Sequence, residues 1–227
     1  MSTAVVIHLP VLREGDRLTG AEFLRRWDAM PELRRAELID GVVYMPSPVS
    51  LPHGDLHLSM GAWLWLYKDL TPGCEAGVEG TWIMGEKDVP QPDATLRIFP
   101  ECGGQSRGQG QYGAGAPELI VEVCWTSTSR DLGVKLELYR SVGLREYITV
   151  LLKSRQIVWR QLVRGRYREI AADEDGLLRS HVFPGLWLNP AALWDTKLSL
   201  RTAVEQGAHS PEHAAFVRRL ATARARK

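Results

Sequence analysis

An apolar run that contains a carboxylate places the strongest constraint on how this chain can fold. The run is PELIVEV, residues 117–123, and it is typical of a buried β-strand. An ionised carboxylate such as Glu122 is costly to bury there unless it is paired, hydrogen-bonded or bound to a metal. Asp93 poses the same problem in a second predicted strand, over residues 92–99. The fold must therefore compensate two carboxylates that lie on separate strands.

Lys135 follows these carboxylates on the next predicted helix and gives the set a chemical meaning. Carboxylate oxygens suit a hard cation such as Mg²⁺. A lysine within reach of a bound cation can place or activate a water molecule, so Asp93, Glu122 and Lys135 together indicate metal-assisted hydrolysis. Without the cation, we expect the two carboxylates to repel each other and to destabilise the protein.

Two simpler explanations of these residues stay open at the level of sequence. Glu122 could lie on an edge strand and reach solvent. Lys135 could form an ordinary i,i+4 ion pair with Asp131, worth only ~0.3–0.5 kcal/mol. Spacing alone does not choose between these explanations and the metal site.

Composition limits the class of protein. The chain has 227 residues, 44% of them hydrophobic, which fits one large domain or a domain with an appendage. A formal net charge of +1 excludes general attraction to nucleic acid, so a polyanion would need a local basic patch. The three cysteines are too few for a disulfide framework. Since we find no secretory signal and no apolar run of membrane-spanning length, we expect a cytoplasmic protein with no membrane partner.

The predicted elements follow an α/β order. Thr19 is a candidate N-cap for a helix over residues 19–30, and Asp40-Gly41 predicts a tight turn between two strands. A second helix is expected over residues 53–70. The later elements are expected as strands 75–84, 92–99 and 118–125, a helix 129–142, strands 145–152, 156–163 and 166–171, and a last strand within 177–188.

These elements predict a mixed central β-sheet flanked by helices. Residues 101–116 contain six glycines and almost nothing apolar, which predicts a mobile loop. We divide the chain into a helical lead-in over residues 1–36, a core domain over residues 37–188, and a peripheral C-terminal helical extension with a basic tail over residues 189–227.

A series of short motifs recurs in the order and spacing of a known family. The series runs Glu37-Leu38-Ile39-Asp40-Gly41, His53, Pro92-Asp93, Glu118 to Val123, Ser127-Thr128, Asp131, Lys135, Tyr139 and Gly143 to Tyr147. Taken together it resembles the Uma-type restriction endonucleases, a branch of the PD-(D/E)XK nuclease superfamily. The resemblance spans about residues 37–188 and implies a core like that of a restriction endonuclease.

The resemblance also implies the roles of individual residues. Asp93, Glu122 and the main-chain carbonyl of Val123 would hold Mg²⁺, with Mn²⁺ as a substitute. The superfamily usually carries its lysine two residues after the acidic ligand, where this chain has Cys124, and the family pattern transfers that role to Lys135. His53 matches a family histidine that approaches the site. Glu37 is also a family position, although a glutamate in a hairpin is more often structural.

The function that this resemblance implies is metal-dependent endonuclease activity, with DNA as the substrate. The alternative is a catalytically silent nuclease-like fold that serves as a nucleic-acid-binding or assembly module, and Trp125, where the family tends to have serine, favours it slightly. A metal-dependent hydrolase of another substrate stands third. A homodimer is compatible with the sequence. A predicted hairpin concentrates positive charge around Trp159 and Tyr167, and it is either a ribbon that follows phosphates or a solvated strand face.

Overall fold

The chain folds as an α/β protein in the computed structural model, which describes residues 9–45, 49–125 and 133–226. Its α-helices are α1 (Gly20–Asp28), α2 (Leu51–Asp69), α3 (Lys135–Ser141), α4 (Leu200–Ala208) and α5 (Pro211–Ala225). Its first strands are β1 (Glu37–Ile39), β2 (Val42–Tyr44), β3 (Cys74–Val78), β4 (Trp82–Ile83), β5 (Ala94–Ile98), β6 (Arg107–Gln109), β7 (Tyr112–Ala114) and β8 (Leu119–Cys124). The later strands are β9 (Glu146–Leu151), β10 (Gln156–Val163), β11 (Arg166–Glu169), β12 (Leu178–Arg179) and β13 (Trp187–Leu188).

A six-stranded mixed sheet forms the centre of the molecule. Its strands lie in the order β11-β10-β9-β8-β5-β3. Strands β8 and β9 are parallel, and the other neighbours are antiparallel. The predicted mixed sheet is thus confirmed. Strand β8 lies inside the sheet between β9 and β5, so the explanation of Glu122 as an edge-strand residue is wrong.

Local signals in the sequence set the ends of the early elements. Thr19 caps α1 as predicted, because its hydroxyl accepts a hydrogen bond from the Glu22 main-chain nitrogen at 3.3 Å. The turn between β1 and β2 places Asp40 and Gly41 at φ values of 49° and 73°, which a tight hairpin turn requires. Among the described helices, none has the length and apolarity needed to cross a membrane.

The two faces of the sheet carry different cores. Leu119, Val121 and Val123 of β8 point to one face, where they join a large cluster that includes Trp63 of α2 and Trp159 of β10. Ile120 points to the other face and packs in a smaller cluster with residues of α3 and β9. Because side chains alternate along a strand, Glu122 shares the face of Ile120. The fold therefore directs this carboxylate towards α3.

The glycine-rich segment 101–116 is structured, which corrects the predicted mobile loop. Strands β6 and β7 form a hairpin within it, and β7 pairs in parallel with β4. A Cβ atom on Gly113 would lie 2.3 Å from the Trp82 ring, so glycine is needed for the close approach of β7 to that ring. The prediction took these glycines as a sign of flexibility, whereas they serve packing and turns. The predicted strand 75–84 likewise divides into β3 of the main sheet and β4 of this small sheet.

The C-terminal helices pack against the main core, although the sequence predicted a peripheral extension. Val204 of α4 and Phe216 of α5 are buried in the same cluster as Trp63. Helix α4 approaches the preceding segment so closely that a Cβ atom on Gly207 would lie 2.1 Å from the Gly185 carbonyl oxygen. Within residues 177–188, β12 and β13 form a separate two-stranded hairpin instead of one further strand of the main sheet.

Glu146 connects the central sheet to the segment that precedes α4. Its side chain is fully buried in β9. Oε1 accepts hydrogen bonds from the main-chain nitrogens of His181 and Val182, at 2.8 and 3.0 Å. Oε2 accepts from Ser180 Oγ at 2.7 Å and from Trp159 Nε1 at 3.2 Å. Burial raises the pKa of Glu146 to about 7, although these four donors act in the opposite direction.

This buried carboxyl predicts a pH dependence of stability. The pKa of Glu146 is higher in the native state than its ordinary value of 4.5, so the native state binds more protons between these values. The free energy of unfolding should therefore fall as the pH rises from 4.5 to about 7, by up to about 3 kcal/mol from this group. Urea unfolding across this range should show the fall in wild type and a shallower one in Glu146→Gln. The exposed Glu212→Gln variant should follow wild type. Parallel curves for wild type and Glu146→Gln would contradict the account.

Candidate active site

Asp93 and Glu122 meet where the pairing of β5 with β8 ends. The last paired residues are Ala94 and Val121. Extended by one residue, this antiparallel register sets Asp93 opposite Glu122, and directly opposite residues share one face of a sheet. A further step would set Pro92 opposite Val123. Proline has no N–H, so Pro92 could not donate to the Val123 carbonyl, and the ladder ends there. The Val123 N–H is satisfied separately, because it donates to Asp93 Oδ2 at 2.8 Å.

Lys135 lies between two carboxylates at the start of α3. Its side chain is only 4% exposed. The ammonium nitrogen Nζ lies 2.8 Å from Glu122 Oε1 and 2.9 Å from Glu37 Oε1. Lys135 is therefore buried, whereas an ordinary ion pair on a helix surface would need an exposed lysine. Asp131, its other expected partner, lies outside the described residues.

Tyr139 lies one helical turn after Lys135 and contacts the same carboxylate. Its hydroxyl donates a hydrogen bond to Glu122 Oε1 at 2.8 Å. Complete burial and the nearby Glu122 carboxylate raise the pKa of Tyr139 well above its ordinary value. The phenol therefore stays protonated at neutral pH, and it can hold Glu122 in place as a donor.

Asp93 has a cationic partner of its own. Arg35, which precedes β1, donates from Nη2 to Asp93 Oδ1 at 3.1 Å. The Arg35 Nη1 atom lies 3.4 Å from Glu79 Oε1. The two site carboxylates thus meet separate cations, Arg35 and Lys135. These two cations offset the repulsion that is expected between the carboxylates.

Two histidines of α2 lie next to Asp93. The imidazole of His53, the family position, has its Nε2 atom buried without a hydrogen-bond partner, 3.9 Å from Asp93 Oδ2. His57 lies one helical turn after His53 on the same helix. Its Nε2 atom lies 2.7 Å from the main-chain oxygen of Asp93, which accepts the hydrogen bond and fixes the backbone there.

Glu37 belongs to the site and also supports it. Besides its contact with Lys135, Oε1 accepts a hydrogen bond from the Gln91 main-chain nitrogen at 2.8 Å. This contact ties β1 to the segment that leads to Asp93. Sequence reasoning missed the part played by Arg35, although its position two residues before Glu37 would set both side chains on one side of an extended segment.

The donor set fits a hard divalent cation. It combines the carboxylates of Asp93 and Glu122 with the carbonyl of Val123, whose N–H already faces Asp93, and N–H and C=O of one strand residue point to the same side. His53 Nε2 adds a buried nitrogen without a hydrogen-bond partner. Among the described residues, no group of three His, Cys, Asp or Glu side chains forms a metal cage. Mg²⁺ needs none, because it is often bound by one or two carboxylates and keeps several waters.

A groove of about 300 Å³ lies on the same face of the sheet as Asp93. Thr95, two residues after Asp93 in β5, lines it together with Arg97, Trp82 and Tyr112. The Arg97 guanidinium is paired with Glu75 at 2.6 Å and lies 5.9 Å from the centroid of the Trp82 ring. Glycines of the small sheet form much of the remaining wall. Neither Asp93 nor Glu122 lines the groove, which offers room for a bound molecule on this face of the sheet.

The predicted basic hairpin is formed by β10 and β11. Arg164, Arg166 and Arg168 are exposed, so they remain available to an anionic partner. Trp159, in contrast, is 1% exposed and packs edge-on against Trp63 at a centroid distance of 5.7 Å. The interpretation of Trp159 as an aromatic ring interleaved among surface charges is therefore wrong.

Both the fold and the sequence of this chain match known proteins. Among solved structures, the crystal structure of "a putative nuclease belonging to DUF820" from Anabaena variabilis ATCC 29413 superposes with a TM-score of 0.57 and 14% identity. The match covers 83% of this chain and 98% of that one, which shows a shared restriction-endonuclease-like fold. The Uma2 family, described as "Putative restriction endonuclease", matches residues 21–191. The chain belongs to the Uma2 family, as its motifs predicted. No curated protein gave a match.

The burial of Lys135 predicts a large effect on stability. In Lys135→Met, Glu122 and Glu37 would lose the ammonium group that lies between them. Breaking a buried ion pair in this way typically costs about 3–5 kcal/mol. Urea unfolding should show a loss of this size, whereas Lys153→Met, at an exposed position, should stay within about 0.5 kcal/mol of wild type. Equal effects of the two substitutions would show that Lys135 is not held as described.

Proposed function

We propose that this protein is a metal-dependent endonuclease that hydrolyses phosphodiester bonds in DNA, with Mg²⁺ or Mn²⁺ as the cofactor. The observation that carries the proposal is the convergence of Asp93, Glu122 and Lys135. Asp93 directly precedes β5, Glu122 lies in β8 and Lys135 begins α3. The three side chains gather on one face of the sheet. Membership of the Uma2 family supports the same reaction class.

Asp93, Glu122 and the Val123 carbonyl are the groups that would hold the cation. When bound, a divalent ion neutralises charge on the phosphoryl group and lowers the pKa of a coordinated water. Lys135 adds a fixed positive charge next to Glu122, where it can orient the attacking water and offset charge on the phosphate. Tyr139 keeps the Glu122 carboxylate oriented through its hydrogen bond. Burial of these groups limits the access of bulk water and strengthens their electrostatic effects.

Exposed positive charge favours a nucleic acid as the substrate, and the description of the family as a restriction endonuclease supports DNA. A chain with a net charge of +1 needs local positive charge to approach a polyanion. The exposed arginines of β11 and its turn provide such charge. The groove lined by Thr95 provides space on the same face of the sheet as the carboxylates.

A catalytically silent binding module is the second candidate, and the hydrogen bonding of the site gives it some support. Glu122 already meets Lys135 and Tyr139, while Asp93 already meets Arg35 and the Val123 nitrogen. Such a network could serve stability alone. The family substitution at Trp125 adds little to this candidate, because the Trp125 side chain is 54% exposed. Activity measurements separate the two candidates.

The test is cleavage of supercoiled, linear and single-stranded DNA by purified protein with Mg²⁺, Mn²⁺ or a chelator. We expect cleavage by wild type that requires the metal. Asp93→Asn keeps the shape of the side chain but removes its charge, and it should lower the rate on the order of a hundredfold or more, about 2.7 kcal/mol of transition-state stabilisation. Glu212→Gln, an exposed carboxylate on α5, is the matched control and should cleave like wild type.

Two results would contradict the proposal. Cleavage by Asp93→Asn at the wild-type rate would show that the activity comes from a contaminant. Metal-independent binding of DNA without cleavage, unchanged in Asp93→Asn, would favour the binding module.

A further inference from the structure

We propose that Arg35 is an exchangeable counter-ion of Asp93. It holds the carboxylate in the metal-free protein, leaves it when the divalent cation enters, and then binds a phosphate group of the substrate. This inference rests on the proposed function, because it assigns a role to a residue next to the proposed metal ligands. It predicts that metal and nucleic acid strengthen each other's binding.

The contact between Arg35 and Asp93 has the geometry of a pair that can separate. Only one guanidinium nitrogen, Nη2, lies at hydrogen-bond distance from Asp93, at 3.1 Å. The other end of the same guanidinium faces Glu79 at 3.4 Å. An arginine that is locked on one carboxylate would use two parallel hydrogen bonds. Arg35 instead bridges two carboxylates with one contact to each.

Burial changes along this bridge from the site to the solvent. The side chain of Asp93 is 5% exposed, that of Arg35 is 23% exposed, and that of Glu79 is 47% exposed. Arg35 also lies in the irregular segment between α1 and β1, where no strand ladder holds it. The guanidinium can therefore move from Asp93 towards the surface while it keeps a partner at Glu79.

Arg35 and the cation would compete for the Asp93 carboxylate, because both are positively charged. Burial disfavours the charged guanidinium, but Asp93 and the neighbouring carboxylates outweigh burial and raise the pKa of Arg35 above its ordinary value. Arg35 therefore carries its charge at any pH at which the protein is folded. A divalent cation on Asp93 would face this positive charge at close range, and like charges in a half-buried site repel strongly.

The released guanidinium has a defined use. Its planar fork of donors matches the oxygen atoms of a phosphate group better than any other side chain does. By linkage, a cation that releases Arg35 for phosphate must itself bind more tightly when phosphate is present. Binding of nucleic acid would therefore strengthen metal binding, because its phosphate holds Arg35 away from Asp93.

The experiment is calorimetric titration of the full-length protein with Mn²⁺, without DNA. Arg35→Met removes the charge, and Arg35→Gln removes it while keeping an N–H donor for Asp93. Both variants should bind Mn²⁺ on the order of tenfold more tightly than wild type, which corresponds to about 1.4 kcal/mol. Arg34→Met is the matched control, since Arg34 is the exposed neighbour, and its affinity should stay within about twofold of wild type.

A second titration measures the coupling. A short DNA duplex with phosphorothioate linkages, which resist cleavage, should tighten Mn²⁺ binding to wild type and to Arg34→Met. It should tighten Mn²⁺ binding to Arg35→Met and Arg35→Gln much less. Thermal melts of all variants show whether each is folded. If Arg35→Met does not fold, Arg35→Gln is used for the test.

The outcomes separate failure of this inference from failure of the proposed function. Mn²⁺ binding that Asp93→Asn abolishes, but that the Arg35 variants leave unchanged or weaken, would overturn the exchange and make Arg35 a positioning residue. Absence of Mn²⁺ binding in every variant would overturn both the exchange and the metal-dependent function. Binding that appears only after Arg35 is replaced would support the exchange.

Discussion

The buried ammonium group of Lys135 is the interaction on which the site depends. It connects Glu122 of the central strand β8 with Glu37 of the outlying hairpin strand β1, and it does so from the first residue of α3. Three separate parts of the chain are thus held by one charge. Taking any one of these groups out of water is costly, and each carboxylate is tolerated because the Lys135 ammonium lies within 3 Å of it. The helix, the hairpin and the sheet must be docked before the charges are balanced.

Asp93, at the end of the ladder between β5 and β8, is likewise a buried charge that needs partners. Pro92 has no N–H to donate to the Val123 carbonyl, and the Asp93 carboxylate accepts a hydrogen bond from the Val123 N–H. This contact fixes the carboxylate beside Glu122 and turns the Val123 main chain towards it. The Pro-Asp motif therefore has a structural reason as well as a chemical one. Because the pairing of β5 with β8 ends at Ala94 and Val121, the main-chain groups beyond it have no partners in that ladder, and the site lies next to them.

Asp93 and Glu122 could be predicted as site residues from the sequence, because each is a charged residue in a segment that is predicted to be buried. Glu122 lies in an apolar run and Asp93 follows a proline at a strand edge, so each required an explanation that local pattern could supply. The role of Arg35 was missed because its partners, Asp93 and Glu79, lie 58 and 44 residues away in the chain. The small sheet around Trp82 was missed because glycine signals both flexibility and close packing, and only tertiary contacts distinguish the two. The docking of α4 and α5 was missed for the same reason, since it depends on small residues such as Gly207.

We propose that a divalent cation binds between Asp93 and Glu122 on this face of the sheet. Anomalous diffraction at the manganese absorption edge, from crystals grown with Mn²⁺, tests it most directly. We expect an anomalous peak within coordination distance of the Asp93 and Glu122 carboxylate oxygens and of the Val123 carbonyl oxygen. An ordered site in which both carboxylates keep their contacts with Arg35 and Lys135, without an anomalous peak between them, would contradict it.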